Sequence, residues 1–273
     1  LQNVFFYLKL LKKKIFLGIK ETYFKSESYQ KSLKSKIPAK LDIFLNSFLL
    51  SSFTNYENFI FKVSVTDASN FWLKNISNKK DLEKNNFFWL SLIDRKDEAS
   101  SIRIIIENWL IHNRKYNSLT WSLDLVSKRI ISWILNSDII LDSKNLSFKK
   151  EFIEAIIIQT NHIKKNYKYE INHQKKIEVI TVLILSGLVF REYEENYEYG
   201  LKELEKLIDT SFDDKGFPLT RSPYDLLNYT KFFLLIKEVI KDAQKYVSDN
   251  LENTLEKNLE CLKQITTPTN SLP

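Results

Sequence analysis

Methionine is absent from the chain, cysteine occurs once, and only 4 glycines and 5 prolines punctuate its 273 residues. The single cysteine, Cys261, excludes an intrachain disulfide framework and any zinc site built on cysteines. The three histidines (His112, His162 and His173) lack the spacing of a helix-borne metal site, so no metal is expected. So few turn residues exclude a sandwich or barrel of many short strands and favour long helices joined by short polar loops. Long hydrophobic runs are missing too. The longest, Val179 to Phe190, is interrupted by Thr181, Ser186 and Gly187 and is too short to span a bilayer, so no transmembrane segment is expected. No Walker loop, GxGxxG, GxSxG or paired-glutamate motif is found, and no cofactor is expected.

What is present belongs to a globular helical protein. Hydrophobic residues make up 44% and aromatics 14%, enough to bury a sizeable core. The net charge of +7 reads either as a lysine-rich solvated surface or as an affinity for polyanions. No basic block is long enough, or interleaved with aromatics enough, to point to nucleic acid. The amino-terminal LQNVFFYLKLLKKKIFLGIK carries its basic cluster inside the apolar stretch and lacks a small-residue cleavage site. It reads as an amphipathic helix packing on the body, with a membrane-surface helix as the alternative, and not as a signal peptide. The lack of methionine and the tail TTPTNSLP suggest a piece of something longer.

Along the chain, a helix is expected over 3–20, a Ser/Lys-rich connector over 23–39 and a short helix over 41–50. FIFKVSV (59–65) is the best strand candidate. From about 67 the pattern is helical. One helix opens at Asp97 and Glu98 and carries Ile102, Ile105, Ile106, Trp109 and Leu110 on one face. The next follows Trp121 and buries Leu125, Ile130, Trp133 and Ile134. A third is capped by Ser147, and a fourth, from about Asn172 to Arg191, is apolar enough to lie mid-packing. A fifth covers about 197–212. Ser222-Pro223-Tyr224-Asp225 then opens the sixth with a natural cap, a proline at the first helical position and an acid at the positive dipole end. Asp249 and Glu252 begin the last. The result is seven or eight helices in antiparallel hairpins, as a solenoid or a closed ring.

Candidate functional residues are few. Asn172 and His173 at the start of the most apolar helix could bind an anion; equally, Asn172 caps and His173 is solvated. Arg221 could fork onto a carboxylate or pair with Asp213, Asp214 or Asp225. Most of the tryptophans suit the core, but Trp121 sits where an indole can face a groove and stack on sugar rings. Tyr224 and Tyr229 are possible phenolic acid/base groups or simply amphipathic packing.

An ordered series of short motifs goes further. Asn85-Asn86-Phe87-Phe88-Trp89-Leu90, then Glu107-Asn108-Trp109-Leu110, then Trp121-(x)7-Arg129-(x)3-Trp133 resembles the helical domain of the heparinase II/III family of polysaccharide lyases, in the branch common among alphaproteobacteria. Leu185-Ser186-Gly187-Leu188-Val189-Phe190, Gly200-Leu201-(x)2-Leu204 and Gly216-Phe217-(x)3-Arg221-Ser222-Pro223 continue the series, over about 70–265. The resemblance implies an all-α, incomplete (α/α) toroid over 67–265, preceded by a helical arm and connector (1–66). Residues 266–273 would be a linker toward a C-terminal β-sandwich absent from this chain. It further implies β-elimination on a uronic-acid polysaccharide of the heparin, heparan sulfate or alginate type; with no clear signal peptide the compartment, bacterial cytoplasm or periplasm, stays open. Asn172, His173 and Tyr224 would be the catalytic groups, and Trp121, Arg129, Lys175 and Arg221 would hold the acidic glycan. Lys175 or Gln174 could stand in the functional place of the Asn-His pair, and the family's tyrosine falls one position beyond Tyr224. Other catalytic groups would come from the β-sandwich, leaving this piece inactive alone. The alternatives are a non-catalytic glycan-binding module and a protein-binding helical scaffold.

Overall fold

The computed structural model describes residues 18–54, 65–72, 79–94, 98–169 and 173–266. Among them the chain is all-α. Seven long helices carry the fold: α1 (Ala99–Asn113), α2 (Leu123–Leu135), α3 (Leu146–Asn166), α4 (His173–Val189), α5 (Glu194–Ser211), α6 (Pro223–Asp242) and α7 (Asp249–Ile265). The isolated antiparallel bridge Phe212–Pro218 is the one β pairing among the described residues. The strand expected over 59–65 lies outside them except for Val65, which opens a short helix, Val65–Asn70. Most of the expected amino-terminal helix and the tail beyond Thr266 also lie outside.

The helix starts follow from side chains that can take up free backbone N–H groups. Ser222 Oγ accepts from Asp225 N at 3.2 Å, with Pro223 in the first turn, as the sequence predicts. α3 is capped by Asn145, whose Oδ1 accepts from Phe148 N at 3.1 Å; Ser147 is already helical and bonds Glu151 instead. At α7 the cap is Ser248, which accepts from Leu251 N, one residue ahead of the expected Asp249. The helix expected over 41–50 is mostly absent, and only Phe48–Phe53 winds into a 3-10 turn. Backbone pairing elsewhere explains this. Asp42 N donates to Val189 O at 2.9 Å, and its carboxylate accepts from Arg191 N, so the segment is tied to the end of α4.

Packing fixes the helix directions. The Trp121 ring lies 5.4 Å from His162 and that of Trp133 5.3 Å from Phe152, so α2 and α3 run antiparallel. α4 and α5 are antiparallel and very close. A Cβ added at Gly187 would collide with the Tyr197 backbone, and one at Gly200 would meet Ile184 at 2.8 Å. These two glycines let the helix backbones approach without intervening side chains. α5 is in turn antiparallel to α6: Phe212, at its end, packs on Tyr229 at 5.0 Å, and Lys245, past the end of α6, pairs with Glu194 at 2.9 Å.

Helices α4 and α6 therefore run the same way, and so does α2, whose Lys128 meets Glu178 near the start of α4; α4 packs between the other two. Their carboxyl ends share one neighbour. The segment held at Val189 continues to Asn46, whose N donates to the Asp242 carboxylate at 3.2 Å, and Asp138, just past α2, lines the same cavity as Asn46 and Asp242. From Ile177 to Phe190 every residue of α4 is buried, as its apolar run predicts. Tyr29, Leu33, Leu41 and Leu50 of the amino-terminal arm join the same core.

Candidate functional site at the amino ends of α2, α4 and α6

Three parallel helices present their free N–H groups and positive dipole ends at one end of the molecule. Nearly all the sequence-derived candidates begin or adjoin these helices: Trp121 and Arg129 at α2, His173 and Lys175 at α4, Arg221 and Tyr224 at α6. Asn172 and the side chain of His173 lie outside the described residues.

Two candidates are interior residues, which corrects the expectation of a groove rim. Trp121 is only 2% exposed. Its Nε1 donates to Asn113 O at 3.0 Å, and its ring is enclosed by His162 and Tyr116, so no face is left for a sugar. Arg129 is fully buried. Nε donates to Gln159 Oε1 at 2.8 Å, Nη1 to Asn85 O at 2.9 Å and Nη2 to Thr120 O at 3.1 Å, while the guanidinium lies 4.3 Å over the Trp109 ring. Trp109 Nε1 donates to Asn85 Oδ1 at 2.8 Å. The Trp…Arg…Trp spacing thus encodes a buried cation held by neutral acceptors and stacked on indole, a lock between α1, α2, α3 and the 85–90 turn.

Arg221 and Tyr224 are on the surface. The Arg221 side chain pairs with Asp213, whose other oxygen accepts from Lys215 N and Phe217 N. Those backbone N–H groups, the Phe217 one first, and the guanidinium hold the Asp213 carboxyl below the ordinary carboxylate range. Arg221 itself has φ +56°, and Gly216 has φ +82° at a place where an added Cβ would collide with Lys257. Of the two readings of Arg221, the loop-fixing one describes its contacts. Tyr224 is 69% exposed and projects from the first turn of α6.

Lys175 belongs to a polar cluster that the sequence reading missed. Lys128 Nζ lies 2.7 Å from Asp124 Oδ1 and 3.5 Å from Glu178 Oε1, joining the first two turns of α2 to those of α4. Glu178 is buried, and its Oε2 has no donor. Burial pushes its carboxyl well above the usual range, with the neighbouring Asp124 adding to the effect. For Asp124 burial also acts upward, but the Lys128 ammonium, with help from Lys175, outweighs it and holds the acid below its ordinary value. The arrangement is satisfied when Glu178 keeps its proton and donates it toward ionised Asp124. Two acids and two half-buried ammonium groups thus lie together near the starts of α2 and α4. The available signal was Glu178 itself, a charge within an apolar run, but its partner lies on another helix.

The opposite end differs in charge. A cavity there, of about 720 Å³, is lined by Phe44, Phe48, Asp138 and Asp242 beside the negative ends of the same helices. Among the described residues no helix is long and apolar enough to cross a membrane and no group of side chains is set to hold a metal ion. Comparison with protein-family models, with curated proteins and with solved structures finds no match to this chain.

Proposed function

We propose that the chain is the helical, toroid-like domain of a polysaccharide-lyase-like protein that acts on uronic-acid polysaccharide, with the sugar carboxylate received at the Asp124–Lys128–Glu178–Lys175 cluster. The observation that carries the reading is the cluster's place. It lies at the end where three parallel helices point their amino termini, beside the start of α4, where the resemblance to the heparinase II/III family puts catalytic groups.

In β-elimination a base takes the C5 proton and the C4–O bond breaks. The electron pair becomes the C4–C5 double bond, and the leaving oxygen takes up a proton. The step needs the uronate charge neutralised so that the C5 proton becomes acidic. Lys128 and Lys175 supply positive charge, and neutral Glu178 supplies a carboxyl that does not repel the anion. His173, at the first position of α4, is the base this reading favours, and Tyr224 is the rim phenol that returns the proton. Trp121 and Arg129 stabilise the wall behind the site, and Arg221 fixes the loop that leads into α6, the helix carrying Tyr224.

The test is the ultraviolet absorbance of unsaturated uronate released by the protein, together with whatever is encoded downstream, from heparan sulfate, alginate and neutral glucan. Product from a uronic polysaccharide, lost in Lys175→Ala while stability is kept, supports the reading. No product from any substrate removes the lyase claim. The second reading, a glycan-binding module without chemistry, is favoured by Arg221 being committed to Asp213. It predicts retained binding of acidic glycan with no absorbance change.

A further inference from the structure

A second cavity, of about 350 Å³, opens where α3 ends, between that helix and the arm. Its walls are Ile19, Tyr23, Phe24 and Tyr29, the ring of Tyr29 lying 4.6 Å from Phe24 and 5.0 Å from Tyr23. Asn166 forms its polar point. This residue is 5% exposed, and both Nδ2 hydrogens are committed, one to Tyr29 Oη at 2.9 Å and one to His162 O at 2.8 Å. Among the described residues its Oδ1 accepts no bond, which leaves an acceptor open at the cavity wall. Lys165 and Lys20 also line the cavity, and both are held in place. Lys165 Nζ donates to Ser32 O at 2.7 Å and Ser32 Oγ at 2.8 Å; Lys20 Nζ sits 5.3 Å over the Phe24 ring.

We propose that this cavity is a binding site for a small aromatic carboxylate carrying a hydrogen-bond donor, of the hydroxyaryl-carboxylate class. The volume admits one ring with a short acid arm. Aromatic walls suit a flat apolar body, the open Asn166 Oδ1 requires a donor on the ligand, and the Lys165 ammonium at the wall selects an anionic end. A sugar fits poorly. Its several hydroxyls would face rings and the Ile19 side chain, with a single open acceptor to satisfy them. The site is independent of the α2–α4 cluster and of the proposed lyase reaction.

The experiment is calorimetric titration of the intact chain with 4-hydroxyphenylacetate, phenylacetate, 4-hydroxyphenylethanol and glucuronate. The first compound should bind saturably. Removing its hydroxyl, or replacing its carboxylate with an alcohol, should each weaken binding about tenfold, since each deletes one charge-assisted or buried hydrogen bond. Lys165→Ala should weaken the acid while leaving the alcohol unchanged, and Tyr23→Ala should weaken both. The ligand series on the unmodified chain decides the matter even if a variant folds poorly. No saturable binding of 4-hydroxyphenylacetate overturns the proposal. So do glucuronate binding as tightly, indifference to the missing hydroxyl, and folded variants that bind unchanged.

Discussion

His162 should make this protein acid-labile through one identifiable group. Its side chain is buried, Nδ1 lies 2.7 Å from Tyr29 Oη, and the rings of Phe24, Tyr116 and Trp121 surround it at 5.3, 5.7 and 5.4 Å. Burial, reinforced by the charges of Lys20 and Arg129, lowers its pKa from 6.5 to about 3. Above pH 6.5 the imidazole is neutral in both states and costs nothing. Between 6.5 and 3 the unfolded chain takes up a proton that the folded chain cannot, so stability falls as pH falls. From pH 7.5 to pH 5 the loss is about 2 kcal/mol, and by pH 4 about 3 kcal/mol. The first figure is insensitive to the folded value so long as that value stays below the working pH. The assay is urea unfolding by tryptophan fluorescence across this range, wild type beside His162→Gln, which keeps an acceptor but cannot titrate. Carboxylates contribute equally to both proteins and cancel in the difference. The stability difference between them should shrink by about 2 kcal/mol from pH 7.5 to pH 5. A difference that stays constant would mean that the folded ring takes up its proton normally, and would sink the argument.

Other perturbations test the packing. Arg129→Ala strands the Gln159, Asn85 and Thr120 acceptors and opens a void beside Trp109, so urea midpoints should report a loss of about 3–5 kcal/mol, with Arg129→Lys recovering little of it. Gly187→Ala should cost about 1–3 kcal/mol because the added carbon meets the Tyr197 backbone, whereas Gly18→Ala, with nothing within 4 Å, should be neutral or mildly stabilising in the same thermal melts. Trp121→Ala should lower stability by about 3–5 kcal/mol; if it instead removes glycan binding from an equally stable protein, the buried placement of the indole is wrong.

The sequence carried the fold further than the site, for a physical reason. Apolar periodicity and caps are local, so the face of α1, the burial of α4 and the Ser222-Pro223 start of α6 can be read from adjacent letters. What a polar or helix-opening side chain meets is not local. Arg129 resembles a surface cation until the carbonyls of Asn85 and Thr120 and the amide of Gln159 arrive from other segments. Trp121 resembles an exposed indole until the far end of α3 brings His162 against it. The 41–50 segment has helical composition, yet Asp42 finds better partners in the free backbone groups past the end of α4. Glu178 is a charge beside an apolar run, but its meaning needs Lys128 and Asp124 from α2.

That non-local chemistry also decides what the net charge of +7 can do. Lysines scattered over a surface attract polyanions weakly and nowhere in particular. Aligning α2, α4 and α6 breaks the symmetry, because a helix dipole acts mainly within its first and last turns. At one end those turns carry Lys128 and Lys175 beside Asp124 and Glu178; at the other, Asp138 and Asp242 line a cavity. A polyanion bound at the amino end should weaken steeply with added salt, since the half-exposed ammonium groups are screened. A ligand in the Tyr29–Asn166 cavity should respond less, because most of its contact is apolar. Measuring both salt slopes on one preparation separates the two sites without any mutation. Equal slopes would mean that the ligands share one surface.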